Sequence, residues 1–334
     1  MPTTGDYLVI GAAAAIITFA VTPIAIAMAR RLGWVYEPNE RTVHTRPIPD
    51  VGGVAMFAGF VIALAASRLW DDFDQLFARN DEPRGVLIAA VIMFAVGLLD
   101  DVREISAPAK VVGTVLAGSA LVWFGVTMRY FRLPFLEVTF LSDDWVPIIT
   151  VLWILGLSQA INLIDGLDGL AAGIVAIGSF SFFLYSQHLS DRGQLLQPNI
   201  GPLIAIITVG ICIGFLPHNF NPARIFMGDS GALLLGLLMA VSTSVVGGRA
   251  DPDAGGTPGQ AYFFLAPLFI PLFILGVPIL DTVFAILRRA RRGQGLATAD
   301  KGHLHHRLME MGHGQRRSVV ILWGWTALLS AFVL

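Results

Sequence analysis

A polar segment between two apolar runs carries the residues best suited to chemistry. It reads Asn162-Leu-Ile-Asp-Gly-Leu-Asp-Gly169, so one amide and two carboxylates, those of Asn162, Asp165 and Asp168, follow one another at intervals of three. This spacing predicts that one helical turn, or its frayed end, presents the three groups on one face. Such oxygen-rich groups beside glycines suit a phosphate or a hydrated Mg²⁺. An ordinary turn is the alternative, because Asn, Asp and Gly also dominate loops.

Further acidic residues stand at the ends of other apolar runs. Asp100 and Asp101 close one run, and their mutual repulsion should raise one proton affinity, as a general base or metal ligand requires. A solvated helix terminus is the alternative for this pair. Asp229 begins another run, where backbone N–H groups favour an anion or a cation–phosphate unit, although it could be a simple N-cap. Phe226 just before it could stack on a base or be buried.

A basic segment near the C-terminal end contains three closely spaced histidines. His303, His305, His306 and Arg307 follow a cluster of four arginines between positions 288 and 292. The histidines could bind zinc or contact phosphates as hydrogen-bond donors. The phosphate interpretation fits better, because zinc would need further tight ligands and the neighbouring cations attract a polyanion.

The composition requires that these polar groups be positioned by membrane-spanning helices. Of 334 residues, 55% are hydrophobic and only 14% are charged, with a mean hydropathy of +0.71. An integral membrane protein is therefore predicted. The net charge of −2 gives no basic surface for nucleic acid. The single cysteine, Cys212, excludes an internal disulfide and a cysteine-based zinc site.

Ten apolar runs approach the length of about 20 residues that a bilayer-spanning helix needs. We predict an all-α protein with one polytopic domain over residues 1–334, in which the first run is a retained span. The runs lie near residues 7–28, 52–68, 85–99, 109–127, 146–161, 169–187, 199–217, 231–247, 261–284 and 318–334.

The distribution of basic residues predicts the orientation of these spans. Alternate loops form two sets, which carry 15 and 7 Lys and Arg residues when Lys110 is counted with the first. Basic residues prefer the cytoplasm, so the first set is predicted inside and the N-terminus outside. All the unusual acidic and histidine residues fall in the inner set. The sequence therefore predicts a site at the cytoplasmic face.

Four linked motifs resemble those of the polyprenyl-phosphate N-acetylhexosamine-1-phosphate transferases. They are Asp100-Asp101, the segment 162–170, the segment 219–231 and His303-Leu-His-His-Arg-Leu308, in the same order and spacing across roughly residues 30–310. The histidine motif looks like the WecA/TagO type, which transfers N-acetylglucosamine (GlcNAc) 1-phosphate. The resemblance implies an enzyme of the bacterial plasma membrane. Its substrates would be UDP-GlcNAc and a polyprenyl phosphate lipid, and its product the first lipid-linked intermediate of a cell-wall or surface glycan.

The resemblance also implies roles for individual residues. Mg²⁺, for which Mn²⁺ could substitute, would be bound by Asn162 and Asp229, and Asp229 is also a catalytic candidate. Asp100 is the candidate for deprotonating or orienting the lipid phosphate; a nucleophilic aspartate and a two-step transfer stay open. Asp101 and Asp165 are catalytic candidates with less defined roles. Asp168 and Phe226 look like nucleotide contacts, and the diphosphate and its surroundings would be contacted by Lys110, His303, His305, His306 and Arg307.

Three other functions compete with this interpretation. A phospho-N-acetylmuramoyl-pentapeptide transferase would use the same motifs with a different histidine-rich loop. A CDP-alcohol phosphotransferase would place Ala-Arg soon after Asp-Gly, whereas Leu167 and Asp168 follow Asp165-Gly166 here. A cation-coupled transporter would carry acidic residues near mid-span rather than at helix ends. Whether the chain forms a homodimer is left open by the sequence.

Overall fold

The fold is a bundle of membrane-length helices with two very small sheets. The computed structural model describes residues 2–36, 47–78, 80–128, 130–132, 138–247 and 314–333. Within these ranges the helices are α1 (Thr4–Leu32), α2 (Gly53–Arg68), α3 (Asp74–Ala78), α4 (Glu82–Arg103), α5 (Ala107–Trp123), α6 (Trp145–Ile164), α7 (Leu170–Asp191), α8 (Gly201–Asn219), α9 (Gly228–Gly247) and α10 (Gln315–Val333). A short 3₁₀ turn, Asp71–Phe73, precedes α3.

The helices confirm the prediction of a multi-pass membrane protein. Nine of the ten predicted runs coincide with a helix, and the run at 261–284 lies outside the described residues. Among the described helices, six are long and apolar enough to cross a bilayer: α1, α4, α6, α7, α8 and α9. A seventh candidate is the pair α2 and α3, which is bent by 89°. Ten spans and the orientation of the chain therefore stay predictions.

Helices α8 and α9 form the centre of the bundle. α9 packs against α2, α4, α6, α7 and α8, and its residues from Ser230 to Val246 are buried. α8 packs closely on α1, because a Cβ atom at Gly210 would lie only 2.2 Å from the carbonyl oxygen of Gly11. Small residues that let two backbones approach are a common packing device within membranes. The central position of α9 explains how its N-terminal end can meet several other helix ends.

The end of α8 is attached to α1 at a break in the α1 hydrogen-bond ladder. Pro23 lies inside α1 and has no N–H group for the carbonyl oxygen of Phe19, four residues earlier. The Nε2 atom of His218 lies 3.2 Å from that oxygen and donates to it. An unpaired carbonyl is costly in a membrane, so His218 compensates for the proline and holds the end of α8 against α1.

A hairpin with two strands of two residues each leads from α1 into α2 at the same end of the bundle. Strand β1 (Val35–Tyr36) pairs antiparallel with β2 (Ile48–Pro49), and Val35 faces Pro49. The backbone N–H of Asp50 lies 3.4 Å from the carbonyl oxygen of Trp34. The hairpin therefore brings residues from before and after the segment 37–46 together. Strands β3 (Tyr130–Arg132) and β4 (Val138–Phe140) pair antiparallel between α5 and α6.

Candidate active site

The predicted site residues gather where the ends of four helices meet. Asp100 and Asp101 lie in the last turn of α4, and Lys110 lies in the first turn of α5. Asn162 lies in the last turn of α6, and Asp229 is the second residue of α9. Each helix carries its polar residue at the terminus, where the apolar run has ended. The packing of α4 and α6 on α9, and of α5 on α4 and α6, then brings these side chains together.

Lys110 joins the carboxylates of two different helices. Its Nζ atom lies 2.6 Å from Oδ2 of Asp100 and 2.5 Å from Oδ2 of Asp229. The Nδ2 atom of Asn162 lies 3.4 Å from the same Asp229 oxygen. All four side chains are partly shielded from solvent, which strengthens their electrostatic interaction relative to water. The structure thus brings together the predicted base, the predicted diphosphate contact and both predicted metal ligands.

Asp101 binds the N-terminus of α9. Its carboxylate accepts hydrogen bonds from the N–H of Asp229 at 2.6 Å, from the N–H of Ser230 at 3.1 Å and from the Ser230 hydroxyl at 2.5 Å. Gly228 permits this close approach, because it has φ +70° and a Cβ atom there would lie 2.7 Å from Asp101. The geometry therefore gives Asp101 a positioning role: it fixes the turn of α9 that carries Asp229. A direct catalytic role for Asp101 stays a prediction.

The backbone after α4 orients the Asp100 carboxylate. The N–H of Ile105 donates to Oδ1 of Asp100 at 2.8 Å, which leaves Oδ2 facing Lys110. This contact depends on Glu104, which ends the helix with φ 48° and ψ 88°. A non-glycine residue in the left-handed region costs about 1–2 kcal/mol. Asp100 is thus held by a locally strained turn.

A prediction about Glu104 tests this arrangement. We expect Glu104→Ile to turn over at least about tenfold more slowly than Glu104→Gly, because a β-branched residue resists positive φ and would move the Ile105 N–H away from a charged acceptor. Both variants lack the Glu104 carboxylate, so each is the control for the other. Steady-state turnover in detergent is the measurement. Equal rates would show that the turn does not orient Asp100.

Asp168 is bound to the loop that precedes α9. It is only 3% exposed, and its Oδ2 atom accepts hydrogen bonds from Nδ2 of Asn221 at 2.9 Å and from the N–H of Ala223 at 3.0 Å. Asn219 makes a second connection, since its side chain accepts from the Gly169 N–H at 2.9 Å and donates to the Ile225 carbonyl at 3.0 Å. These bonds hold the segment after α6 against the loop 220–227. A nucleotide contact by Asp168 stays a prediction.

The predicted single helical face for Asn162, Asp165 and Asp168 is wrong. Helix α6 ends at Ile164, so Asn162 faces Asp229 while Asp168 faces Asn221. The physical reason is that Asp165, with φ −76° and ψ 57°, leaves the helical conformation just before Gly166. The segment therefore contains a helix end that carries Asn162 and a turn that leads to Asp168. Both structures that its sequence suggested, a helical turn and a loop turn, are present.

Asp165 and Asp50 place two further carboxyl groups close to the site. Burial raises the pKa of Asp165 to about 8, and the nearby carboxylates of Asp50 and Asp229 contribute to the shift. Burial also raises the pKa of Asp50 to about 6, with further contributions from Asp229 and Asp100. Among the described residues, Lys110 supplies positive charge to this group of carboxyls through its contacts with Asp100 and Asp229. The raised pKa values show that these carboxyl groups resist simultaneous ionisation, and a bound cation would favour their charged forms.

A short backbone ladder ties the hairpin to the loop before α9. The N–H of Phe226 donates to the Pro49 carbonyl at 2.8 Å, and the N–H groups of Gly52 and Gly53 donate to the carbonyls of Phe226 and Met227, both at 2.9 Å. The Phe226 ring also meets the Tyr36 ring edge-on, with their centroids 6.4 Å apart. Phe226, a predicted nucleotide contact, is therefore a half-buried neighbour of the site.

The structure adds site residues that sequence reasoning missed. Asp50 and Tyr36 border the site, and Asn219 and Asn221 orient its loops. The Gly52-Gly53 pair at the start of α2 was the available signal for Asp50, since adjacent glycines mark a close backbone approach. The predicted contacts His303, His305, His306 and Arg307 lie outside the described residues.

These features define a class: a multi-pass helical membrane protein with a charged polar site at one end of its bundle. A family model described as glycosyl transferase family 4 matches residues 84–247, which include every helix that contributes to the charged cluster. The chain is also 36% identical over 328 residues to a decaprenyl-phosphate N-acetylglucosaminephosphotransferase of Mycobacterium tuberculosis, and the match covers 97% of this chain and 81% of that one.

Two further relatives have related names. A Bacillus subtilis protein named as a probable undecaprenyl-phosphate N-acetylglucosaminyl 1-phosphate transferase is 36% identical, over 94% of this chain and 81% of its own. A phospho-N-acetylmuramoyl-pentapeptide-transferase of Chloroherpeton thalassium is 30% identical, over 83% of this chain and 76% of its own. The chain therefore belongs to glycosyl transferase family 4, with the polyprenyl-phosphate N-acetylhexosamine-1-phosphate transferases. The family predicted from the motifs is confirmed.

Proposed function

We propose that this protein transfers GlcNAc 1-phosphate from UDP-GlcNAc to a polyprenyl phosphate in the bacterial plasma membrane. An oxygen of the lipid phosphate forms a bond to the β-phosphorus of UDP-GlcNAc, the bond from that phosphorus to the bridging oxygen breaks, and UMP leaves. The product is polyprenyl-diphosphate-GlcNAc. The observation that carries this proposal is the cluster of Asp100, Lys110, Asn162 and Asp229 at one end of membrane-length helices. Support for GlcNAc comes from the names of the 36%-identical relatives.

The chain's own residues account for the main needs of such a transfer. Two anions must be brought together, so catalysis depends on positioning and charge neutralisation more than on covalent help. Asp100, held by Ile105 and Lys110, orients the lipid phosphate and accepts its proton if one is present. The Lys110 ammonium offsets negative charge on the reacting phosphates. Asp101 keeps Asp229 in place through α9.

A divalent cation, Mg²⁺ or Mn²⁺, belongs to this proposal. Among the described residues, no three His, Cys, Asp or Glu side chains are grouped as a complete metal-binding set. The residues nevertheless fit Mg²⁺, because that ion uses one or two carboxylates and completes its shell with water and substrate phosphates. Asn162 and Asp229, whose side chains are 3.4 Å apart, would hold it. When bound, it would neutralise charge on the diphosphate.

A transferase assay tests the proposed function directly. Purified protein would be given a polyprenyl phosphate and radiolabelled UDP-GlcNAc, UDP-N-acetylgalactosamine or UDP-N-acetylmuramoyl-pentapeptide. We expect a lipid-linked product and UMP with UDP-GlcNAc, and no product after EDTA treatment. Transfer of the pentapeptide substrate in preference to UDP-GlcNAc would contradict the proposed substrate. Full activity in EDTA would contradict the metal.

We also propose that the site faces the cytoplasm and the N-terminus lies outside, which a labelling experiment checks. A cysteine replacing Asp72 should react with a membrane-impermeant maleimide on intact cells, whereas one replacing Ala109 should react only after lysis. Both positions are exposed, and they lie at opposite ends of the bundle under the positive-inside rule. The native Cys212 is buried, so the protein without an introduced cysteine should stay unlabelled and serves as the background control. The reverse pattern would place the site on the wrong side for a cytosolic nucleotide sugar.

A further inference from the structure

An apolar groove lies between helices α1, α7, α8 and α10. Its volume is about 680 Å³, and all of its described lining residues are glycine, alanine, leucine, isoleucine, valine, phenylalanine or tryptophan. It opens to the outside of the bundle, since Ile16 and Ile213 in its lining are 68% and 52% exposed. An apolar cavity of about 150 Å³ can hold a benzene molecule, so this groove has room for a long alkyl chain.

The groove has the depth of one leaflet of a bilayer. On α8 its lining extends from Ile206 to Leu216, which corresponds to about 15 Å of helix. The hydrocarbon core of a bilayer is roughly 30 Å thick, so this length is about half of it. Leu216 lies in the last turn of α8, which ends at Asn219 beside the loop that leads to α9. The groove therefore lies in the leaflet next to the charged cluster.

A guanidinium group lies beyond the end of the groove in that leaflet. Trp323 lines the groove, and its Nε1 atom donates to the Leu170 carbonyl at 3.4 Å. Arg316 precedes it by seven positions, so it shares the same face of α10 about 10 Å further along. The Nε atom of Arg316 donates to the Asn221 carbonyl at 2.8 Å, which fixes the side chain close to the end of α8. Arg316 and the adjacent Arg317 are both exposed.

The acceptor lipid of the proposed reaction belongs to another part of the bundle. Its phosphate must reach the charged cluster, which is carried by α4, α5, α6 and α9. None of these four helices contributes a described lining residue to the groove. The groove therefore suits a lipid other than the one that reacts.

A second copy of the chain is also a poor occupant. An isologous contact brings the same surface of both copies together, so charges at one end of the groove would face their own counterparts. Among the described residues, the helices on either side of the groove carry only basic charges near this end: Arg30, Arg31, Arg316 and Arg317. Two copies would place like charges opposite one another, whereas a phosphate would be attracted.

We propose that the groove binds an acyl chain of an anionic phospholipid, whose headgroup phosphate contacts Arg316 and Arg317. Basic groups beside a gap between membrane helices are suited to anionic headgroups, and the planar guanidinium can donate two hydrogen bonds to one phosphate. The apolar walls supply the contacts that an alkyl chain needs. This site is separate from the transfer reaction and does not depend on the proposed substrates.

Photochemical labelling tests the site in the full-length protein. The protein would be reconstituted in phosphatidylcholine nanodiscs that contain a small fraction of phosphatidylglycerol with a diazirine in its acyl chain. Phosphatidylcholine with the same labelled chain is the matched probe. We expect mass spectrometry to find the phosphatidylglycerol label on groove residues such as Ala12 and Ile177. The label should exceed that from phosphatidylcholine at least about fivefold, the usual effect of one basic residue near the membrane surface.

Two pairs of variants separate the headgroup contact from the chain contact. Arg316→Gln should lower the phosphatidylglycerol label about fivefold and leave the phosphatidylcholine label unchanged. Arg103→Gln removes an exposed arginine from the last turn of α4 and should change neither. Ala12→Phe fills the groove and should lower both labels. Ala20→Phe, at an exposed position of α1 outside the described lining, should lower neither.

Four results would overturn the inference. They are equal labelling by the two probes in wild-type protein, no label in the groove, displacement of the label by polyprenyl phosphate, and a disulfide between two copies through a cysteine at Ala12. The third would assign the groove to the acceptor lipid and the fourth to a second copy. If Arg316→Gln does not fold, Arg317→Gln removes a charge without breaking the Asn221 bond and should also lower the phosphatidylglycerol label. Turnover of UDP-GlcNAc, measured separately, decides the proposed function.

Discussion

Replacing Asp229 by asparagine should remove nearly all turnover and weaken the response to Mn²⁺. Oδ2 of Asp229 is the point where Lys110 and Asn162 meet, at 2.5 Å and 3.4 Å. The neutral amide would leave the Lys110 ammonium with one carboxylate partner and would remove the charged metal ligand. Removing one preorganised electrostatic group from a reaction site typically costs about 10²- to 10³-fold in kcat, so we expect at least a roughly hundredfold loss in rate.

Mn²⁺ titrations monitored by electron paramagnetic resonance would accompany the Asp229→Asn rate measurements. Weaker Mn²⁺ binding together with lost turnover is the expected pair of results. Asp144→Asn is a suitable control, because that aspartate is exposed and its side chain makes no capping hydrogen bond at the start of α6. Unaltered Mn²⁺ affinity in Asp229→Asn would remove Asp229 from the set of metal ligands.

Replacing Asp100 by asparagine should stop turnover but preserve nucleotide-sugar binding. Its Oδ1 atom is occupied by the Ile105 N–H, and its Oδ2 atom faces Lys110, so only the second oxygen is placed for proton transfer or for orienting the lipid phosphate. Asparagine keeps the shape and loses the basicity. Loss of a positioned general base typically costs about 10²- to 10⁴-fold in rate.

UDP-GlcNAc binding and turnover should therefore be measured on the same Asp100→Asn preparation. Retained binding with lost turnover supports the base or orienting role. Loss of binding would show instead that Asp100 holds the nucleotide sugar. A stable protein-linked GlcNAc 1-phosphate in wild-type enzyme without lipid acceptor would favour the two-step mechanism with a nucleophilic aspartate, which the sequence left open.

The residues of the charged cluster could be predicted from the sequence, but their mutual contacts could not. The types of Asp100, Lys110, Asn162 and Asp229, and their places at the ends of apolar runs, could be predicted because charged groups are costly within a bilayer. Their contacts could not be predicted in the same way. Lys110 and Asp229 are separated by 119 positions in the chain, and their side chains meet because α4 packs both on α9 and on α5.

The positioning role of Asp101 could not be inferred from its place next to Asp100 in the sequence. The pair Asp100-Asp101 suggested two groups of similar chemistry, but successive helical residues point in different directions. Asp101 faces the α9 N-terminus, 128 positions away, whereas Asp100 faces Lys110. The loop contacts of Asp168 and the contribution of Asp50 were hidden for the same reason, since both depend on the approach of segments distant in sequence.

The sequence by itself determined the membrane class, the positions of nine helices, the family and the residue types that the structure gathers in the charged cluster. Hydropathy and motif order carry that information, because a bilayer requires long apolar segments and allows polar groups mainly at their ends. The tertiary structure decided that α6 stops at Ile164, that Asp101 positions α9, and that Asp50 borders a polar cavity. These features depend on helix rotation and on close backbone packing, which apolar runs of similar composition leave undetermined.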